Sequence, residues 1–245
     1  MVHDQGLTDA LVELTDTIVP GFDPAAFARR LAAHGAGLPG VAASGVLLAD
    51  GDGAPRITGA STPLTLALCR AEADTGEGPG ADALRHGRHV RRGDLRAPDP
   101  RWPRFAAAAR GAGLASVHAL PVRLRDDVFG VLSLYGDEPG PLPVETGTAG
   151  RALADAASVG LHHRRLIDHH EELTGQLRYA LTSRVVIEQA KGLLAERLEL
   201  RMDAAFDILR GYARAHNDKL TDIAARVVAG TLDPTLPDQR AHAAT

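Results

Sequence analysis

SVHALPVRLRDDVFGVLSLYGDE, residues 116–138, sets two apolar runs on either side of the charged triplet Arg125-Asp126-Asp127. Two runs rich in Val, Leu, Phe and Tyr around a polar break are the signature of a β-hairpin. Upstream, VAASGVLLAD (41–50) and PRITGA (55–60) repeat the pattern around the turn-rich DGDGA, which predicts a second hairpin. The intervening stretches change period. LTDALVELTDTI has apolar residues at 7, 11, 14 and 18, and helical spacing returns from Asp23 to about Ala36 and in TPLTLALCRAEAD (62–74). A short helix follows TGEGPGADAL, HVRRGDL reads as a brief strand, and RWPRFAAAARGAG (101–113) is a helix closed by glycines. Strands interrupted by helices predict an α+β domain with a largely antiparallel sheet.

After PGPLP (139–143) no strand signal returns. Val144 to about Leu198 carries one nearly unbroken helical pattern. In one alternating register Ala152, Val159, Leu166, Leu173 and Ala180 recur, with Ala156, His163, His170 and Leu177 between them. That is a heptad seam of about four repeats, which predicts a dimeric coiled coil, although a helix of this length also suits packing on the first domain. Helices over Met202–Ala215 and Leu220–Val228 follow, and the polar tail TLDPTLPDQRAHAAT is predicted to be disordered. The domain plan is 1–143 for the sensor-like part, 144–180 for a coiled-coil linker, 181–230 for an all-α bundle and 231–245 for the tail.

The composition is that of an ordinary globular chain: 245 residues, 44% apolar and 24% charged, with aromatics at only 4%. A single cysteine, Cys69, excludes an internal disulfide and a cysteine-rich zinc site. No apolar run approaches the roughly 20 residues of a membrane span, and the polar, acidic start is unlike a signal peptide, so a cytoplasmic protein is expected. No GxxxxGK[ST], GxGxxG between strand and helix, HExxH or GxSxG occurs, and the chain is read as a non-enzyme without metal or cofactor. TGEGPG lacks the lysine and Ser/Thr of a phosphate loop and is read as a turn that needs glycine. Cys69, in LALCRAEA, is read as a small buried hydrophobe. His163 and His170 stand two turns apart, about 10.5 Å of rise, too far to ligate one ion on one helix. The pairs His162-His163 and His169-His170 are therefore read as solvated or at the seam edge, with metal binding or pH sensing across a dimer as the alternative.

Charge is uneven. Residues 176–230 hold nine Lys+Arg against seven Asp+Glu, whereas residues 1–175 hold 17 against 22. The chain's two lysines, Lys191 and Lys219, both fall in the basic part. Arg184 and Lys191 are seven apart on one helix, Arg210 and Arg214 four apart on the next, and Lys219 opens the third. Three short helices can bring these five cations to one surface suited to a phosphate backbone. The alternative is a solvated face with ion pairs such as Asp207 to Arg210 or Arg214. Gly192, inside a helix, costs about 1 kcal/mol against alanine. It is read as close helix packing with Ala190, Ala204, Ala205 and Ala213, or as room for a ligand.

Residues 181–230 resemble the ANTAR family of RNA-binding antitermination modules through SRVVIEQAKGLL, AAF, LR and NDKLTDIAARVV. The resemblance implies a three-helix bundle extended from a coiled coil, which binds paired stem-loops in nascent RNA and so allows RNA polymerase to read through an overlapping terminator. It implies RNA-contact roles for Arg184, Lys191, Arg210, Asn217 and Lys219, with Arg214 added by its place beside Arg210. Ala205, Phe206, Leu209, Ala213, Leu220 and Ala224 match the bundle core. Arg201 replaces a small or capping residue, leaving Asp203 as the substitute cap. Glu199 stands where a turn glycine is common, and Asp218 where a basic residue is common. The first 140 or so residues resemble a GAF domain through TGEGPGADAL, the GDL before RWPRF, and SVHALPVRL with FGVLSLY. That resemblance implies small-molecule or protein binding, with the ligand unidentified. Gly80 stands where many relatives carry a cysteine after GEGP, so thiol chemistry at that position is not expected.

The resulting expectation is a homodimeric regulator of the GAF–ANTAR type, in which a sensory domain governs an RNA-binding antitermination module. The alternative is a small-molecule-binding signalling protein whose C-terminal helices dock proteins.

Overall fold

The computed structural model describes residues 2–19, 21–50, 53–97 and 99–235. Two compact units divide the chain, Met1–Asp168 and His169–Thr245. The first contains α1 (Val2–Thr15), α2 (Pro24–Ala36), β1 (Ala43–Ala49), β2 (Pro55–Ala60), α3 (Pro63–Thr75), α4 (Pro79–His86), β3 (Val90–Arg92), α5 (Pro103–Gly111), β4 (Ser116–Leu124) and β5 (Asp127–Gly136). A 55-residue helix, α6 (Val144–Leu198), begins in this unit and ends in the second, which adds α7 (Met202–Ala215) and α8 (Leu220–Val228). The α+β class and the elements expected from the sequence are those observed. The turn residues 51 and 52 of the first hairpin, and the tail from 236 onward, lie outside the described residues.

Helix starts in the first unit follow local chemistry. Asp23 caps α2 by accepting from the Ala25 N–H at 2.8 Å, and Thr62 caps α3 by accepting from the Thr65 N–H at 3.1 Å. Each cap precedes a proline, whose fixed φ suits the first helical turn. The strands form one antiparallel sheet in the order β2-β1-β5-β4-β3.

Strand alternation assigns each apolar residue to a face. Val46, Leu48, Leu120, Val122, Leu132 and Leu134 pack with α1, α2 and the start of α6 through Leu14, Phe27, Leu31, Leu153 and Ala157. Ala43, Val117 and Tyr135 face the other way, onto Leu68, Leu95, Trp102 and Phe105. Both faces are covered, which is why the strands read as near-continuous apolar runs. Two glycines permit the close layers. A Cβ on Gly59 would meet the Ala28 carbonyl carbon of α2 at 2.4 Å, and one on Gly45 would meet Cys69 Sγ at 2.3 Å.

The first unit runs on beyond residue 143, because Leu153, Ala154 and Ala157 of α6 are core residues. In this part of α6 the register residues Ala152, Ala156 and Val159 are only half-buried. Leu166, Leu173 and Leu177 are 46%, 42% and 65% exposed.

In the second unit the end of α6 packs on α7 and α8 through Ala190, Leu194, Ala205, Leu209, Ala213, Ile223, Ala224 and Val227. Alanines at these positions let three short helices share a core. All three helices end alike. Glu199, Asn217 and Gly230 adopt left-handed φ values of 54°, 53° and 69°. The residue after each returns a hydrogen bond five residues back: Leu200 to Ala195, Asp218 to Ala213 and Thr231 to Arg226, at 3.0, 3.0 and 2.9 Å. These are Schellman caps, which satisfy the last carbonyls of a helix and favour glycine or asparagine at the left-handed position.

Candidate RNA-binding face

Lys191 is the best-anchored cation of the set. Its stem is partly covered, leaving the side chain 17% exposed, and its Nζ lies 5.5 Å from the centroid of the Phe206 ring. Nζ also donates to both carboxylate oxygens of Glu188, at 2.9 and 3.0 Å. Phe206 is thus half-buried beneath a lysine rather than a member of the buried core, where the family resemblance had placed it. Arg210 stands one turn after Phe206 on α7 and Arg214 one turn further, both exposed and on the side away from Ala205, Leu209 and Ala213. Asn217 and Lys219 occupy the α7–α8 turn, the first at the left-handed cap position and the second as the residue preceding α8. Arg184 is exposed on α6, seven residues before Lys191.

The structure therefore links Lys191 to α7 through Phe206 and places Arg210 and Arg214 on one face of that helix. It ties Arg184 to α7 by no ion pair. Among the described residues Arg184, Arg210, Arg214 and Lys219 form no salt bridge, so the pairing of Asp207 with Arg210 or Arg214 that the spacing allowed is not made. Asp218 is held by Arg226 at 3.9 Å. Asp203 does not replace the missing cap of α7. Arg201 is the N-cap residue without a side-chain hydrogen bond, and Asp203 faces it at 3.9 Å.

Gly192 departs from expectation. A Cβ there would meet nothing within 4 Å beyond its own helical turn, so among the described residues the glycine serves no close helix approach. The small-residue contact is made instead by Ala190, Ala205 and Ala213.

In the first unit, TGEGPG is a structural turn. Gly76 closes α3 with φ 65° and Gly78 opens α4 with φ 151°. The N–H groups at the start of α4, which a phosphate loop would offer to an anion, are taken by the chain itself. Glu72 Oε1 accepts from Gly80 N at 2.7 Å and from Ala81 N at 3.4 Å. Glu77 in the same turn accepts from Arg104 N at 2.6 Å and caps α5. Burial pushes the Glu72 carboxyl up to about 8, against the lowering effect of those two N–H groups. A Cβ at Gly80 would lie 3.0 Å from Glu72 Oε2 and 3.2 Å from Leu47, so a side chain fits there only if Glu72 yields. Cys69 is buried and its thiol is pushed well above the ordinary range, first by burial and then by Glu72, as befits a packing residue. His162 lies edge-on to Phe129 at 6.0 Å, while His163, His169 and His170 are exposed. Among the described residues no three His, Cys, Asp or Glu side chains gather as a metal site.

A family model described as GAF domain matches residues 23–162, more than half of the chain, and one described as ANTAR domain matches residues 175–228. The chain belongs to the GAF family and carries a C-terminal ANTAR domain. No curated protein matches this GAF–ANTAR chain. Among solved structures it is similar to the GAF domain of an Acinetobacter phosphoenolpyruvate-protein phosphotransferase, with 14% identity, coverage of 68% of this chain and 96% of that one, and a TM-score of 0.48. It is also similar to the bacteriophytochrome RpBphP3 of R. palustris, with 11% identity, 76% and 42% coverage and a TM-score of 0.48. A third is fRMsr of Staphylococcus aureus in its reduced form, with 14% identity, 65% and 94% coverage and a TM-score of 0.47.

The two domains of this GAF–ANTAR protein are sensory and RNA-binding, the general make-up of an antitermination regulator under sensory control. No described helix is long and apolar enough to cross a membrane. Sequence reasoning missed Phe206 and Glu188 as the setting of Lys191. Glu188 stands three residues before the lysine and Phe206 fifteen after it, a spacing that carries the signal only once α7 is known to fold back on α6.

Proposed function

We propose that this GAF–ANTAR protein is a homodimeric, cytoplasmic antitermination regulator whose C-terminal unit binds paired stem-loops in nascent RNA, thereby acting indirectly on the RNA polymerase elongation complex. The observation that carries the reading is that four cations of the second unit, Arg184, Arg210, Arg214 and Lys219, form no salt bridge among the described residues, while a fifth, Lys191, is oriented by Phe206. Cations without acidic partners are available to phosphates, and single-stranded loops supply both phosphates and unstacked bases. The exposed stripe Leu166, Leu173 and Leu177 supports dimerisation along α6, and two modules joined in one dimer would hold two stem-loops with avidity.

The test is binding of the full chain to an RNA with two short stem-loops at two salt concentrations. The same RNA with scrambled loops and a Lys191→Glu variant serve as controls. Loop-dependent, salt-sensitive binding weakened in the variant is expected. Equal weak binding to every RNA would overturn the proposal and leave the C-terminal helices as a protein-docking module.

A further inference from the structure

The two faces of the sensory sheet differ in what they leave open. The face under α3, α4 and α5 is filled by Trp102, Phe105, Tyr135 and Leu68, each at most 4% exposed. On the opposite face, beside α6, lies a cavity of about 320 Å³, within the roughly 300–1,000 Å³ range of small-molecule sites. Its apolar wall is built by Leu48 of β1, Ile57 of β2, Phe129 of β5 and Leu161 of α6, with Phe22 at the side.

The polar rim comes mostly from α6. Arg164 lies 6.0 Å over the Phe22 ring and Arg165 lies 5.8 Å over the Phe129 ring. Two carboxylates also line the cavity, and both are held by arginine: Asp168 takes Nε of Arg164 at 2.8 Å, and Asp50 takes Nε of Arg56 at 2.8 Å. Arg165 forms no salt bridge among the described residues. The site thus offers flat aromatic and aliphatic walls, compensated acids, and one guanidinium in excess.

We infer that this cleft is the ligand site of the sensory unit and that it takes a small monoanion with a flat, apolar body. The anionic group meets Arg165, and the body lies between Phe129 and the Leu48, Ile57 and Leu161 side chains. Three of its four charged lining residues, Arg164, Arg165 and Asp168, come from α6, the helix that continues to Leu198, so the ligand is held by the element that leads into the C-terminal unit. Its use as the regulatory input rests on the function proposed above, whereas the site itself does not.

Calorimetric titration of the full chain with 8-anilino-1-naphthalenesulfonate supplies the test, with N-phenyl-1-naphthylamine as the same body without the anion. One site per chain is expected, with the sulfonate at least about tenfold tighter than the neutral probe. Arg165→Gln, at an exposed position, is expected to erase that preference. Ile57→Trp, which fills the cavity, is expected to abolish binding of both, with its melting curve confirming the fold. Leu64→Gln, at an exposed position of α3 outside the cleft, is expected to leave both affinities unchanged. Equal affinity for the two probes, or a preference that survives Arg165→Gln, would overturn the inference. Loss of binding in Leu64→Gln would do the same by moving the site to another exposed apolar patch. RNA binding is read separately, so failure of the ligand site and failure of the RNA reading give different results.

Discussion

Glu188 grips Lys191 with both carboxylate oxygens, at 2.9 and 3.0 Å from Nζ. The lysine proposed to meet RNA is therefore neutralised by its own helix before RNA arrives. A phosphate must displace Glu188 or share the ammonium with it. Glu188→Gln is expected to tighten RNA binding several-fold at low salt, since it removes a competing anion. Lys191→Ala is expected to weaken binding across RNA sequences and to lower the salt slope by about 1. Filter binding over a salt series measures both, and tighter binding by Lys191→Ala would place the lysine away from the phosphates.

Glu199 holds a left-handed backbone, φ 54°, where the Schellman cap of α6 favours glycine. A left-handed residue with a Cβ costs roughly 1–2 kcal/mol. Glu199→Gly is expected to raise the stability of the second unit by about 1 kcal/mol, read as an increase in its thermal midpoint. Asn217 shares the geometry but is a residue that tolerates it, so Asn217→Gly is expected to leave stability nearly unchanged and Asn217→Val to reduce it. An RNA defect in Asn217→Gly without loss of stability would show that the asparagine side chain touches RNA as well as closing the helix.

Gly192 makes a different prediction, because among the described residues nothing beyond its own helical turn lies within 4 Å of where its Cβ would be. Gly192→Ala is expected to stabilise the helix by about 1 kcal/mol, the ordinary difference in propensity. If RNA approaches the backbone here, the same substitution weakens RNA affinity while raising the thermal midpoint. A drop in stability would mean that the position is packed after all.

Glu72 links stability to pH. Its carboxyl is pushed by burial from an ordinary 4.5 to about 8, so between those values the folded chain holds a proton that the unfolded chain has released. Its contribution is complete below pH 4.5 and is lost as pH rises towards 8, with a limiting slope of about 1.4 kcal/mol per pH unit for one proton. Glu72→Gln keeps an acceptor for Gly80 and Ala81 but cannot ionise, so its urea midpoint is expected to fall less between pH 5 and pH 9 than that of the parent chain. Parallel curves for the two proteins would show that Glu72 does not titrate in this range.

The sequence by itself determined the elements and their order. Hairpin punctuation at Arg125-Asp126, period changes, proline-led helix starts after Asp23 and Thr62, and the unbroken helical run from Val144 to Leu198 are local signals, each resting on backbone preference and on which side of an element is apolar. Five candidate RNA residues, Arg184, Lys191, Arg210, Arg214 and Lys219, were also legible as charges on or beside helices, because identity and spacing need no partner to be seen, whereas Asn217 came from the family resemblance. The tertiary structure alone decided which face each side chain serves. Phe206 left the core to carry Lys191, Glu72 took the anion site of α4, and Gly192 was left open. Arg165 met Phe129, 36 residues away, across a cavity that no periodicity announces. These are encounters between residues distant in the chain, fixed by how layers close over one another, and their energies arise only when burial removes water from both partners.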